Sequence, residues 1–202
     1  FSLMQTNNTL ENLIESLKCL PGVGPKSALR LAYYLLQRDR KGAHNLASSI
    51  EESLKKLGHC KLCNNFTEKD TCSICDSQER LSDPLCVVEM PTDLLMLEQT
   101  HSYKGMYFVL MGRLSPLDGI GPKEIHINKL LERIRKSDIN EIILATNFTT
   151  EGNTTAQYIA ELLKESKINV TRIARGLPMG GEIEYVDSGT LAQSIVERKK
   201  LI

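Results

Sequence analysis

Cys60, Cys63, Cys72 and Cys75 form two Cys-x-x-Cys pairs separated by eight residues. Each tight turn holds two thiolates on one side of a loop, and zinc takes four soft ligands at tetrahedral corners, so the spacing predicts a metal site. Four thiolates fill every position, which predicts a structural ion, since a catalytic zinc keeps one position open. Two other readings exist: a pair of disulfides in a secreted domain, or ordinary buried cysteines. A lysine- and glutamate-rich composition, with no leader-like apolar run ahead of the cysteines, sets the expectation of a reduced, cytoplasmic chain and favours zinc. His59 flanks the first pair, but the four thiolates leave it no ligand role. Cys19 and Cys86 lie in apolar runs and are expected to be small core residues.

A second chemical signal is Leu20-Pro21-Gly22-Val23-Gly24-Pro25-Lys26-Ser27-Ala28. Gly22 and Gly24 allow the backbone to approach a phosphate closely, and N–H groups at a new helix start would point at it. Lys26 and Arg30 are one helical turn apart and can face the same DNA backbone, a contact without sequence information that weakens with salt. The bland reading is a helical hairpin whose glycines only turn the chain. The run lacks the spacing of a phosphate-binding P-loop.

The third signal is acidic. Glu89 follows one apolar run, with Asp93 four residues on; Asn147, Thr149 and Glu151 follow another. Ligands of open α/β sheets collect at the carboxyl ends of strands. Read alone, Glu89 and Asp93 are equally well solvated surface acids.

The elements that must position these residues are legible from periodicity. Leu10, Leu13, Ile14 and Leu17 mark one face of a helix that ends before Pro21. A second helix starts at Pro25 or Lys26, with Leu29, Ala32, Tyr33 and Leu36 as its apolar stripe, and a third spans about 43–57. Beyond the cysteines, apolar runs at 84–88, 106–111, 141–145 and 169–173 read as strands. Helical patterns at 92–99, 125–136 and 154–165 alternate with them, which predicts a parallel α/β sheet. A Gly/Pro-rich loop covers 112–122, and a last helix runs to about Arg198.

The chain has 202 residues with 25 Lys+Arg against 25 Asp+Glu, so a globally basic DNA binder is excluded but a local patch is not. Residues 1–57 hold eight Lys/Arg and five Asp/Glu, a net of +3. No stretch approaches the ~20 apolar residues of a membrane span.

The acidic pattern resembles the Toprim domain of primases and topoisomerases, whose glutamate and Asp-x-Asp bind magnesium. Here the Asp-x-Asp place reads Asn147-Phe148-Thr149, and the loss of two carboxylates argues against metal-assisted phosphoryl transfer. The order of parts, with the runs at 114–122 and 145–152 and a Gly-Leu-Pro-Met-Gly-Gly-Glu-Ile-Glu-Tyr-Val-Asp tail, resembles the RecR family of bacterial recombination mediators. The resemblance implies a helix-hairpin-helix region at 4–57, a zinc finger at 58–79, a Toprim domain at 80–175 and a Walker-B-like tail at 176–202, with Asp187 as its acid. It implies a non-catalytic DNA-binding clamp of recombinational repair that forms dimers or ring tetramers. Such a clamp acts with RecO and RecF to load recombinase on gapped or single-stranded DNA. On the same ground Lys26 and Arg30 contact DNA, and Glu89, Asp93 and Glu151 contact a partner or DNA. The alternative is a magnesium-dependent Toprim enzyme, a nuclease or primase, built on those three acids.

Overall fold

The computed structural model describes residues 8–177, 179–198 and 200. Residues 4–7 of the expected N-terminal region, Pro178 of the tail and residues 199, 201 and 202 lie outside them. The chain divides into two compact units, with the boundary between Leu57 and Gly58.

The first unit is helical: α1 (Asn8–Leu17), α2 (Pro25–Gln37) and α3 (Arg40–Lys56). Pro at the first position of α2 fixes a helical φ and has no N–H to orphan. Asp39 caps α3, its Oδ1 accepting from Gly42 N at 2.8 Å, so that helix starts three residues before the apolar pattern does. The phase of α2 differs from the expected stripe. Ala28 and Ala32 are buried, with Leu31 and Leu35 half-buried beside them, while Leu29, Tyr33 and Leu36 are exposed. Both faces of this helix carry apolar residues, so periodicity gives a helix but the packing of α1 and α3 selects the face. Cys19 is exposed and not a core residue, because the chain has already left α1 at that point.

The second unit opens with an unanticipated antiparallel ribbon, β1 (Gly58–His59) and β2 (Phe66–Thr67), which flanks the first cysteine pair. Next come β3 (Leu85–Val88), α4 (Pro91–Gln99), β4 (Met106–Val109), α5 (Ile127–Arg135), β5 (Glu141–Ala145), α6 (Thr150–Leu163) and β6 (Asn169–Arg172). All three strand pairings are parallel, in the order β4-β3-β5-β6. Successive strand residues face opposite sides of the sheet. Leu85, Val87, Ile142 and Leu144 pack with Leu130 and Ile134 of α5 and Ile159 and Leu163 of α6. Cys86, Val88, Tyr107 and Val109 pack with Leu94 of α4, so Cys86 is the expected small core residue. Ile74 touches both this second core and the thiol cluster.

Helix α6 begins four residues earlier than its periodicity suggests. Thr149 Oγ1 accepts from Gly152 N at 3.1 Å and caps it, which puts Glu151 in the first turn. The tail holds a 3₁₀ turn at Ile183–Tyr185 and α7 (Ser188–Val196). Asp187 caps α7, its Oδ1 accepting from Thr190 N at 2.9 Å, and those hydrogen bonds hold its carboxyl below the usual range.

Candidate functional site

Three groups of residues bear on function. The first is the hairpin between α1 and α2. Gly22 has φ +78°, a left-handed conformation that a side chain would strain. Gly24 is the N-cap of α2, and having no side chain it fills none of the orphan donors there. Ala28 N is bonded to Gly24 O, whereas the N–H groups of Lys26 and Ser27 have no acceptor among the described residues. The side chains of Lys26 and Arg30 are exposed on the same helix.

The second group is the cysteines. The sulfurs of Cys60, Cys63, Cys72 and Cys75 all lie within 4.8 Å of one another, and Cys63 Sγ is 3.4 Å from Cys72 Sγ. A tetrahedral zinc with bonds of about 2.3 Å needs sulfurs ~3.8 Å apart, so the donor set fits the ion. The two knuckles share a backbone hydrogen bond: Asn64 N donates to Cys60 O and Asp76 N to Cys72 O, each at 3.0 Å. The hydrogen bond from Cys63, with help from the Arg133 cation, draws the Cys75 thiol down to about 6, and the same bond followed by burial pushes Cys63 up. A readily ionised thiol among clustered sulfurs suits capture of a soft cation, which takes thiolates and releases protons. His59 stays outside the donor set. Its Nδ1 is 3.0 Å from Asn64 O, and its ring lies 5.1 Å from that of Phe66.

The first knuckle is bonded to the sheet. Val109 N donates to Cys63 O at 2.8 Å, and the buried Asn64 donates Nδ2 to Val109 O at 2.8 Å. Arg133 Nη1 of α5 donates to Leu62 O and to Tyr107 O, each at 2.7 Å. The metal module therefore belongs to the α/β unit.

The third group lies at the carboxyl ends of β3 and β5, where the strand order reverses, the place where open α/β sheets hold ligands. Glu89 is 1% exposed there. Its Oε1 accepts from Asn147 N at 2.8 Å and its Oε2 from Asn147 Nδ2 at 2.7 Å, with Arg113 Nη1 at 3.9 Å. Asn147 thus binds the glutamate itself, and Thr149 caps α6. Asp93 caps α4 by accepting from Met90 N at 2.8 Å. Glu151 makes no side-chain hydrogen bond or ion pair among the described residues. Glu89, Asp93 and Glu151 do not converge as a metal-ligand group: among the described residues the four cysteines alone do.

Sequence reasoning missed the cations at this end of the sheet. Arg172 Nη2 donates to Asn147 O at 3.1 Å, and the guanidinium carbons of Arg172 and Arg175 lie 4.6 and 4.7 Å from the centroid of the Phe148 ring. Burial and then the neighbouring Arg175 lower the pKa of Arg172, with Glu89 opposing. Arg172 ends β6 and Arg175 lies three residues on, neither with any periodic signal, so only the fold brings them to Phe148.

A two-helix hairpin, a four-thiol zinc module and a parallel sheet with a buried glutamate at its switch point define a zinc-stabilised helix-hairpin-helix Toprim protein. Comparison with known families agrees part by part: the RecR helix-hairpin-helix over residues 10–54, the RecR four-cysteine zinc finger domain over 57–77, the Toprim domain over 83–174 and the RecR C-terminal region over 176–199. The chain is 55% identical to Recombination protein RecR of Chromobacterium violaceum, across 97% of this chain and 99% of that one. The chain belongs to the RecR family.

Proposed function

We propose that this chain is a non-catalytic DNA-binding clamp of recombinational repair. It acts with RecO and RecF to help load recombinase on gapped or single-stranded DNA. The observation that carries the reading is the hairpin: exposed Lys26 and Arg30 beside two N–H donors without acceptors among the described residues, on a backbone free of side chains at Gly22 and Gly24. Such a surface binds phosphate without reading sequence. Absence of catalysis is supported by Glu89, whose two oxygens are taken by Asn147, and by the separation of the three Toprim acids. Asp93 and Glu151, on α4 and α6, remain available to a basic partner such as RecO.

A Lys26→Ala/Arg30→Ala protein is expected to bind DNA more weakly and to lower the slope of log K against log salt by about two. Fluorescence anisotropy over a salt series reads both. Unchanged binding would remove the hairpin as the DNA contact. Magnesium-dependent turnover of labelled DNA by the pure protein, abolished by Glu89→Gln, would replace the clamp with a Toprim enzyme.

A further inference from the structure

The arginines around Phe148 have no role in the clamp as described. The Phe148 ring is 40% exposed, at the loop between β5 and α6. Neither Arg172 nor Arg175 forms an ion pair among the described residues. Arg172 is anchored through Asn147 O and approaches Thr146 Oγ1 at 3.5 Å, with its Nε buried and without an acceptor. Arg175 lies with its guanidinium over the ring and makes no side-chain hydrogen bond among the described residues. Glu89, whose charge acts on Arg172, already accepts from Asn147 at both oxygens. Two cations without an ion-pair partner among the described residues therefore flank an open aromatic ring at the carboxyl end of the sheet.

We propose that Phe148, Arg172 and Arg175 form a second DNA contact, specific for single strands. An unpaired base stacks on the phenyl ring or the guanidinium plane beside it, and the adjoining phosphodiester is bound by the guanidinium donors. Stacking on aromatic or arginine planes is the sequence-tolerant means of holding single-stranded nucleic acid. The planar guanidinium fork matches a phosphate, which an ammonium does not. A duplex keeps its bases stacked internally and offers the ring nothing. An acidic peptide would use the charges but leave the ring idle. Glu89 acquires a part in this arrangement as a positioning residue, since it fixes Asn147, which in turn fixes Arg172 and the start of the Phe148 loop. The contact adds to the hairpin contact and does not depend on it.

The chain contains no tryptophan, so Phe148→Trp places a sole indole in the site. Its emission is expected to be quenched by oligo(dT) at low salt, to recover at high salt, and to change little with duplex of the same length. Arg175→Gln should weaken oligo(dT) binding about tenfold and lower the salt slope by about 0.7, the share of one single-strand phosphate. Phe148→Leu should weaken binding with the slope unchanged. Arg172, which also holds Asn147, is left in place in every variant, and unchanged thermal melting shows that each is folded. The same losses in a Lys26→Ala/Arg30→Ala background separate this contact from the hairpin, whose failure alone would leave the quenching intact. An indole emission that does not move while anisotropy shows oligo(dT) bound would overturn the proposal. So would wild-type binding by both Arg175→Gln and Phe148→Leu, or displacement of oligo(dT) by polyglutamate at equal charge.

Discussion

Glu89 is a carboxylate withdrawn from water, which costs several kcal/mol unless its lone pairs are filled. Asn147 fills them with a backbone and a side-chain donor, and Gly152 makes room for the arrangement. A Cβ on Gly152 would stand 2.2 Å from Asn147 O and 2.7 Å from Glu89 Oε1. Gly152→Ala is therefore expected to destabilise the α/β unit by ~1–3 kcal/mol, the usual cost of overpacking a filled site, as measured by urea unfolding. A variant as stable as the parent would show that the Asn147 loop gives way freely. The sequence marks Glu89 and Asn147 separately, since each follows an apolar run. That one binds the other is invisible there, because a separation of 58 residues has no period to read. The neutral character of Asn147 and Thr149 is legible; what they do, donating to the glutamate and capping a helix, is not.

Among the elements, the knuckle at Cys60–Asn64 and strand β4 are one mechanical piece. Val109 N is bonded to Cys63 O and Val109 O to Asn64 Nδ2, so the knuckle holds the outer edge of the strand as β3 holds its inner edge. Structural zinc sites contribute on the order of 10 kcal/mol to folding. Chelation, or Cys60→Ser, is expected to strip the Val109 amide of hydrogen-exchange protection and lower the melting temperature of the second unit, with DNA binding lost only as a consequence. A folded Cys60→Ser protein with full Val109 protection and weak DNA binding would show the opposite order. The spacing of the cysteines predicts the metal because tetrahedral geometry acts within one loop. Long-range attachment of the loop to β4 leaves no local trace. The same limit applies to α2, where periodicity yields a helix but its buried face is chosen by neighbours, so Ala28, Leu31, Ala32 and Leu35 turn inward in place of Leu29, Tyr33 and Leu36.

For the molecule as a whole, the first unit buries little: Ala28 and Ala32 are its fully buried apolar residues among those described. Leu46, Ile50, Leu54 and Leu57 stay exposed at helical spacing along α3 and just past its end. Apolar faces of this kind mark association, and they support the homo-oligomer that the family resemblance implies. Light scattering is expected to give a multiple of the 22.6 kDa chain mass, lowered by Leu54→Glu. A monomer at every concentration would contradict the clamp. The division into helical, thiol and α/β parts is readable along the chain, because each carries its own pattern; the apolar excess on α3 is readable only once burial is known. One further consequence follows from the strand order. β4 is outermost, with β3 on one side and the knuckle bonded to Val109 on the other. An uncovered sheet margin is a ready template for a strand of another chain, the first step of aggregation. With the knuckle held there by zinc, that margin is occupied at Val109, and chelated protein is expected to sediment as aggregate where metal-loaded protein stays dispersed.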